Sequence, residues 1–279
     1  MKQLTTLFIL MMLAGWLPAQ NRISIDTIKN VFYYDYNFQQ DSTDSGSERY
    51  QEMVLQVGKK YSKFTSRNAL YTDSLLFTVK DLDPSVGFSA IWPKISGSRI
   101  NRFCDYSVYK NYPHKGNIQF VGKLGSKTSL VVNEEIKLDW QLEEVGDTTI
   151  LGYTCQKAKC YFGGRNYEAW YTMEIPISEG PYKFNGLPGL IVRVADVENE
   201  NIFQLYGVKN YSTNIAPIYA KTDKLQTTTA QGFARAMKVY IADLYRKYGG
   251  NPNIKYSSRD GESKTLRNIR AKNNYIERY

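Results

Sequence analysis

The chain has 279 residues, with 36 Lys and Arg against 27 Asp and Glu and a formal net charge of +9. One histidine and three cysteines leave no His/Cys cluster at zinc-ligand spacing, and any histidine-dependent triad would have to use His114, for which no nucleophile-elbow motif is present. The 23 tyrosines suit half-buried strands or a contact surface, because each ring carries a hydroxyl that needs a partner.

The N-terminus reads as a secretory signal. Lys2 precedes the mostly apolar run Leu4 to Leu17, and Pro18-Ala19-Gln20 offers a cleavage site after Ala19 or Gln20. The run is short for a bilayer span, and no cysteine stands at the cleavage site for lipid attachment. An exported chain of about 260 residues is expected, large enough to bury a sizeable core. It is read as a signal over 1–19, one antiparallel β domain over 20–254 and a basic tail over 255–279.

Asn30 to Phe38 is aromatic, and Gln39 to Glu48 reads as a polar loop whose Asp41 and Asp44 are turn residues. Tyr50 to Tyr61 and Ser62 to Arg67 read as strands. Thr72 to Asp83 fits helix or strand, and Pro84 to Ser98 reads as irregular. His114 falls in an exposed turn. Asn117 to Val121, Ser129 to Val132 and Ile136 to Leu142 read as consecutive strands. Tyr153 to Phe162 and Tyr167 to Met173 form a hairpin around Gly163-Gly164, since glycine supplies the positive φ of a tight turn. Glu174 to Ile177, interrupted by Pro176, reads as an edge strand or the end of one. Leu190 to Val197 and Ile202 to Tyr211 form a further hairpin. Phe233, Met237, Tyr240, Ile241, Leu244 and Tyr248 have helical spacing, so a helix over about 228–248, capped by Thr228 or Thr229, should lay an apolar stripe on the sheet. The tail from 255 carries seven basic residues against three acidic ones and is read as solvated, with contact to anionic headgroups as the alternative.

The most punctuated stretch is Gly186-Leu187-Pro188-Gly189-Leu190-Ile191. Pro188 holds Leu187 extended, and a glycine on each side of Leu187-Pro188 suits a compact buried bend that re-enters the sheet. With Gly152-Tyr-Thr-Cys-Gln-Lys-Ala158, Gly164-Arg165, Tyr167-Glu-Ala-Trp-Tyr171, Glu174-Ile-Pro-Ile177 and Gly180-Pro-Tyr-Lys-Phe184, it closely resembles the core block of the GLPGLI family of secreted Bacteroidetes proteins. Asn273-Asn-Tyr-Ile-Glu277 is similar to that family's Asn-Asn-Pro-Ile-Glu ending, with Tyr275 in place of proline. That family has no established biochemical activity. Its architecture distantly resembles the half-open barrel carriers of the periplasm, by analogy alone.

The expected fold is mainly β (α+β): a curved antiparallel sheet or half-open barrel with the C-terminal helix packed on it. Arg165, Lys183, Trp170, Leu187 and Leu190 are the candidate ligand-binding residues. Of Trp170 and Tyr171, one faces the core, and the larger ring is expected there. Cys155 and Cys160 lie five apart in one strand, on opposite faces. A disulfide would therefore join Cys104 to Cys155 or Cys160, with buried free thiols as the alternative. No cofactor, metal or catalytic residue is expected. The function expected first is non-enzymatic binding or carriage of a lipid, another apolar ligand or a protein in the concavity. An accessory role toward an outer-membrane protein comes second. Export to the periplasm or outer-membrane periphery makes nucleic acid a poor partner.

Overall fold

In a computed structural model the protein is described over residues 22–79, 82–96, 104–125, 128–211, 216–222, 225–249 and 274–278. The signal segment and most of the basic tail lie outside these. Strands dominate: β1 (Arg22–Thr27), β2 (Asn30–Gln39), β3 (Glu48–Val57), β4 (Ser62–Ser66), β5 (Tyr106–Lys110), β6 (Asn117–Leu124), β7 (Thr128–Glu135), β8 (Gln141–Ile150), β9 (Tyr153–Phe162), β10 (Arg165–Thr172), β11 (Leu190–Asp196), β12 (Asn201–Asn210), β13 (Pro217–Lys221) and β14 (Leu225–Thr228). The helices are α1 (Arg67–Thr78), α2 (Pro84–Ser96) and α3 (Ala230–Gly249).

Twelve strands form one sheet in the order β14-β7-β6-β5-β4-β3-β2-β12-β11-β10-β9-β8. Every pairing is antiparallel except β14 with β7, and the sheet does not close into a barrel. The β2·β12 pairing joins an N-terminal meander to a central one through ten-residue strands. Alternation along these strands separates the faces. Phe32, Tyr34, Tyr36, Met53, Leu55, Phe64, Val108, Ala169, Tyr171, Val194, Phe203 and Leu205 point into the main core. On the other face, the β1·β13 ribbon covers the first half of the sheet: Ile218 packs with Val31 and Val54, and Ala220 with Tyr109, Val121 and Val131.

The strands around Gly163-Gly164 and the Leu190 hairpin form as their sequence predicts, with both turn glycines at positive φ. The C-terminal helix also forms. Thr229 is its cap, its hydroxyl accepting from Gly232 N at 3.0 Å. Phe233 meets Phe120 edge-on at 5.0 Å, and a Cβ on Gly122 would lie 2.6 Å from the Phe233 ring, so that glycine lets the helix settle close.

Three expectations need correction. Pro84 to Ser96 is a helix, not irregular, while the stretch from Thr72, open between helix and strand, falls in the helix Arg67–Thr78. Ser66 starts α1 by accepting from Ala69 N, and burial of Leu75 and Ile91 stabilises the pair of helices where local propensity is weak. Ile136 to Trp140 has no strand pairing; β8 starts at Gln141. Glu174 to Ile177 is no edge strand either. Pro176 removes a donor there, and the segment instead lends the Ile175 carbonyl to Leu190 N at 3.0 Å, beside β11.

Candidate functional site

The hexapeptide is a core element. Gly186 sits at φ +94, a region that strains any side chain, and Trp140 Nε1 donates to the preceding Asn185 carbonyl at 2.8 Å. A Cβ on Gly189 would lie 1.9 Å from the Thr172 carbonyl oxygen, so only glycine lets the chain cross β10 at that point. Leu187 and Leu190 are 1% and 0% exposed, and Tyr34 donates to the Ile191 carbonyl at 2.7 Å. Phe184 packs among Phe162, Tyr167, Tyr182 and Trp140. The expectation that Leu187 and Leu190 line a ligand cavity is therefore corrected: they fill the space that such a cavity would need.

Three buried cations fasten this block. Lys110 donates to Glu179 Oε2 at 2.9 Å and to the carbonyls of Gly180 and Phe184 at 2.6 and 2.9 Å. Burial pulls its pKa down, and the Glu179 carboxylate only partly offsets that. Lys183 pairs with Glu134 at 2.6 Å and with Glu277 at 2.8 Å, and Glu277 also accepts from the Tyr182 hydroxyl. Arg165, wholly buried, reaches Asp196 at 2.5 Å and Glu200 at 2.6 Å, donates to the Tyr275 carbonyl at 3.1 Å and bonds Asn274. Burial opposes the Glu200 charge, but bonds and charges from Arg165, Asn274 and Arg278 outweigh it, holding this carboxyl below its usual pKa.

These contacts overturn the reading of the final residues as part of a solvated basic tail. Residues 274–278 are seated on the β9–β10 turn: Arg278 N donates to the Gly163 carbonyl at 2.6 Å, and Tyr167 donates to the Ile276 carbonyl at 2.8 Å. Side chains at Gly163 or Gly164 would strike Glu277 and Arg278, so the turn glycines also make the seat. Tyr275, which departs from the family's proline, contributes its carbonyl. Residues 255–273 lie outside the described residues. Sequence reasoning singled out Arg165 and Lys183 but not Lys110, Asp196, Glu134 or Tyr182. A lysine ending the strand Tyr106-Ser-Val-Tyr-Lys110 was the available signal.

Trp170 lies elsewhere. Tyr171 is the core ring, while Trp170 is half-buried on the opposite face, which corrects the expected order of the two. There it stands between Lys157, 5.2 Å away, and Arg193, 4.9 Å away. The registers place Glu143, Lys157, Trp170, Arg193, Gln204, Asp35 and Glu52 in one row across seven strands. At about 4.8 Å per strand the row spans roughly 29 Å. Lys157 and Lys159 ion-pair with Glu143 and Glu168 at 2.6–3.6 Å. Farther along, Tyr50 donates to Asp35, and Tyr206 and Arg67 both donate to Glu52. Among the described residues no second layer covers β9–β12 on this side, where Tyr206 and Tyr161 are exposed.

Cys104, Cys155 and Cys160 are free buried thiols here, so neither Cys104 pairing forms. Burial raises the Cys160 pKa to about 12. His114 sits in an exposed turn, 3.6 Å from Glu135. Asp44 and Asp41 accept from Gly46 N and Thr43 N as turn residues do. Among the described residues no group of three or more His, Cys, Asp or Glu could hold a metal, and no helix is long and apolar enough to cross a membrane.

The architecture is that of a mainly β protein with large antiparallel sheets, no closed barrel and a C-terminal helix. A family model described as a protein of unknown function (Porph_ging), from an uncharacterised family found in Bacteroidetes, matches residues 162–193, which run from the β9–β10 turn through the hexapeptide. No curated protein matches the sequence. Solved structures of PNGF-II in the P21 and C2 space groups are similar at TM-scores of 0.49 and 0.47 and 12% and 13% identity. Each similarity covers 76% of this chain, which spans about a third of their length (34% and 33%).

Proposed function

We propose that this chain is a non-enzymatic, exported envelope protein that binds a protein partner across the outer face of β8–β12. Two observations support a surface role over carriage in the concavity. Leu187, Leu190 and Phe184 fill the interior beside the hexapeptide, and the cleft walled by Asp73, Asp105 and Lys221 holds only about 40 Å³, far below what an acyl chain needs. The observation that carries the reading is the seven-strand row with Trp170 and Arg193 at its middle. Its length matches a standard protein contact, and Trp, Tyr and Arg are the side chains that dominate binding energy at such contacts. The interspersed carboxylates and lysines favour a protein of mixed charge over a lipid surface, which would select a basic or apolar face.

The test is site-specific photocrosslinking from position 204 in intact envelopes. The reading expects one discrete protein adduct that disappears with Arg193→Glu while the melting temperature stays unchanged, and none from a probe at Lys115. Crosslinking to lipid alone, or an adduct indifferent to Arg193→Glu, would refute it.

A further inference from the structure

The charges along the outer face are not evenly neutralised within the chain. Toward one end, Lys157 is held by Glu143 and Glu168 at 3.6 and 2.9 Å, and Glu168 also faces Lys159 at 3.5 Å. Toward the other, Glu52 is ion-paired with Arg67 at 2.7 Å and accepts from the Tyr206 hydroxyl at 2.9 Å. Two charges between them lack a counter-charge. Arg193 makes no hydrogen bond or ion pair among the described residues, and its buried Nη1 has no acceptor. Asp35 accepts from the neutral Tyr50 hydroxyl at 2.7 Å, and no described cation is paired with it.

The guanidinium of Arg193 lies 4.9 Å from the Trp170 ring centre, so part of its surface is already out of water. Burial pulls its pKa down, and Glu168, committed to two lysines, offsets that only in part. Its other nitrogens are not buried as Nη1 is, so a carboxylate can reach the fork from solvent. A partly dehydrated cation loses less water on pairing than an open one does, which favours an anionic contact there. Arg193 faces Gln204 and Gln204 faces Asp35, so the three side chains share one face. Two strand spacings separate the unpaired charges by about 10 Å.

Resting on the reading of this face as a protein contact, we infer that the partner protein presents an acid and a base about 10 Å apart, the carboxylate seated on Arg193 and the cation on Asp35. The pair fixes the direction of docking, because a partner turned end for end would set like charges against each other at both points. An anionic lipid headgroup would satisfy Arg193 but be opposed by Asp35.

The experiment places p-benzoylphenylalanine at position 204, between the two charges, in the full chain in intact envelopes, and locates the captured partner segment by mass spectrometry. The expected adduct yield falls at least about fivefold in Arg193→Gln and in Asp35→Asn and is unchanged in the exposed control Lys115→Gln. Arg193→Lys, which keeps the charge, retains more of the yield than Arg193→Gln. An acid in the captured segment should abolish the adduct when changed to lysine, and Arg193→Glu should restore it. That restoration reads charge pairing even if Arg193→Gln or Asp35→Asn disturbs the fold, which the melting temperature of each variant reports. An adduct lost with Arg193→Glu but kept in both Arg193→Gln and Asp35→Asn, or the absence of any acid that couples to position 193, overturns the inference and leaves the protein-binding face standing. No adduct from the otherwise unaltered chain overturns both.

Discussion

Replacing Arg165 by methionine tests whether the clamp around the hexapeptide holds the fold. Arg165 and Asp196 both have fully buried side chains, 2.5 Å apart. Methionine keeps much of the apolar stem but leaves the Asp196 carboxylate in the interior with only Asn201, whose backbone and side-chain nitrogens donate at 3.0 and 3.1 Å. Breaking one side of a buried ion pair costs about 3–5 kcal/mol. At roughly 2–4 °C per kcal/mol for a chain of this size, melting should fall by roughly 6–20 °C. Urea unfolding followed by tyrosine and tryptophan fluorescence measures the loss. The diagnostic step is Asp196→Asn added to Arg165→Met, which removes the stranded charge and should recover more than about 1 kcal/mol. If Arg165→Met costs less than about 1 kcal/mol, or if the second change deepens the loss, the clamp is not what holds this block.

Gly189→Ala should destabilise by about 3 kcal/mol or more, because its Cβ meets the Thr172 backbone oxygen rather than a movable side chain, and thermal melting checks this. Lys63 binds its proton more weakly folded, with a pKa of about 8, than unfolded, near 10.5. Between those values the unfolded state holds the extra proton, so Lys63 makes stability rise with pH from about 8 to about 10.5. In denaturant titrations the wild type should gain on Lys63→Met across that window, and a constant difference would contradict the burial of a charged Lys63. Glu200 acts with the same sign in the acid range: its depressed pKa adds stability above about pH 4.5 that is lost on acidification, and Glu200→Gln should flatten that limb of the curve. The three buried thiols should react with a disulfide reagent only at the rate of unfolding, and fast reaction of any one in the native protein would contradict their burial.

Much of the large sheet is legible in local pattern. Strands such as Tyr153 to Phe162 pair with their immediate neighbours through glycine turns, so alternation and turn chemistry suffice. The α1–α2 pair is not legible, because its burial comes from Leu75 and Ile91 meeting distant surfaces rather than from a clean helical stripe. The site divides in the same way. Arg165 and Lys183 attract attention as cations among apolar and aromatic neighbours, but Glu277 and Asn274, more than ninety residues away, could not be assigned to them from spacing. The order of Trp170 and Tyr171 failed because ring size does not set the face. Pairing with β9 and β11 does, and it turns Tyr171 inward.

By itself, then, the sequence determined a mainly β chain with a C-terminal helix and a glycine–proline bend too constrained to be a loose loop, since these follow from backbone chemistry within a few residues. Only the tertiary structure decided that the bend is solid core, that residues 274–278 close it, and that seven strands align their charges and aromatics on the outer face. Those outcomes depend on register and on contacts between remote segments, which the order of residues along the chain does not display.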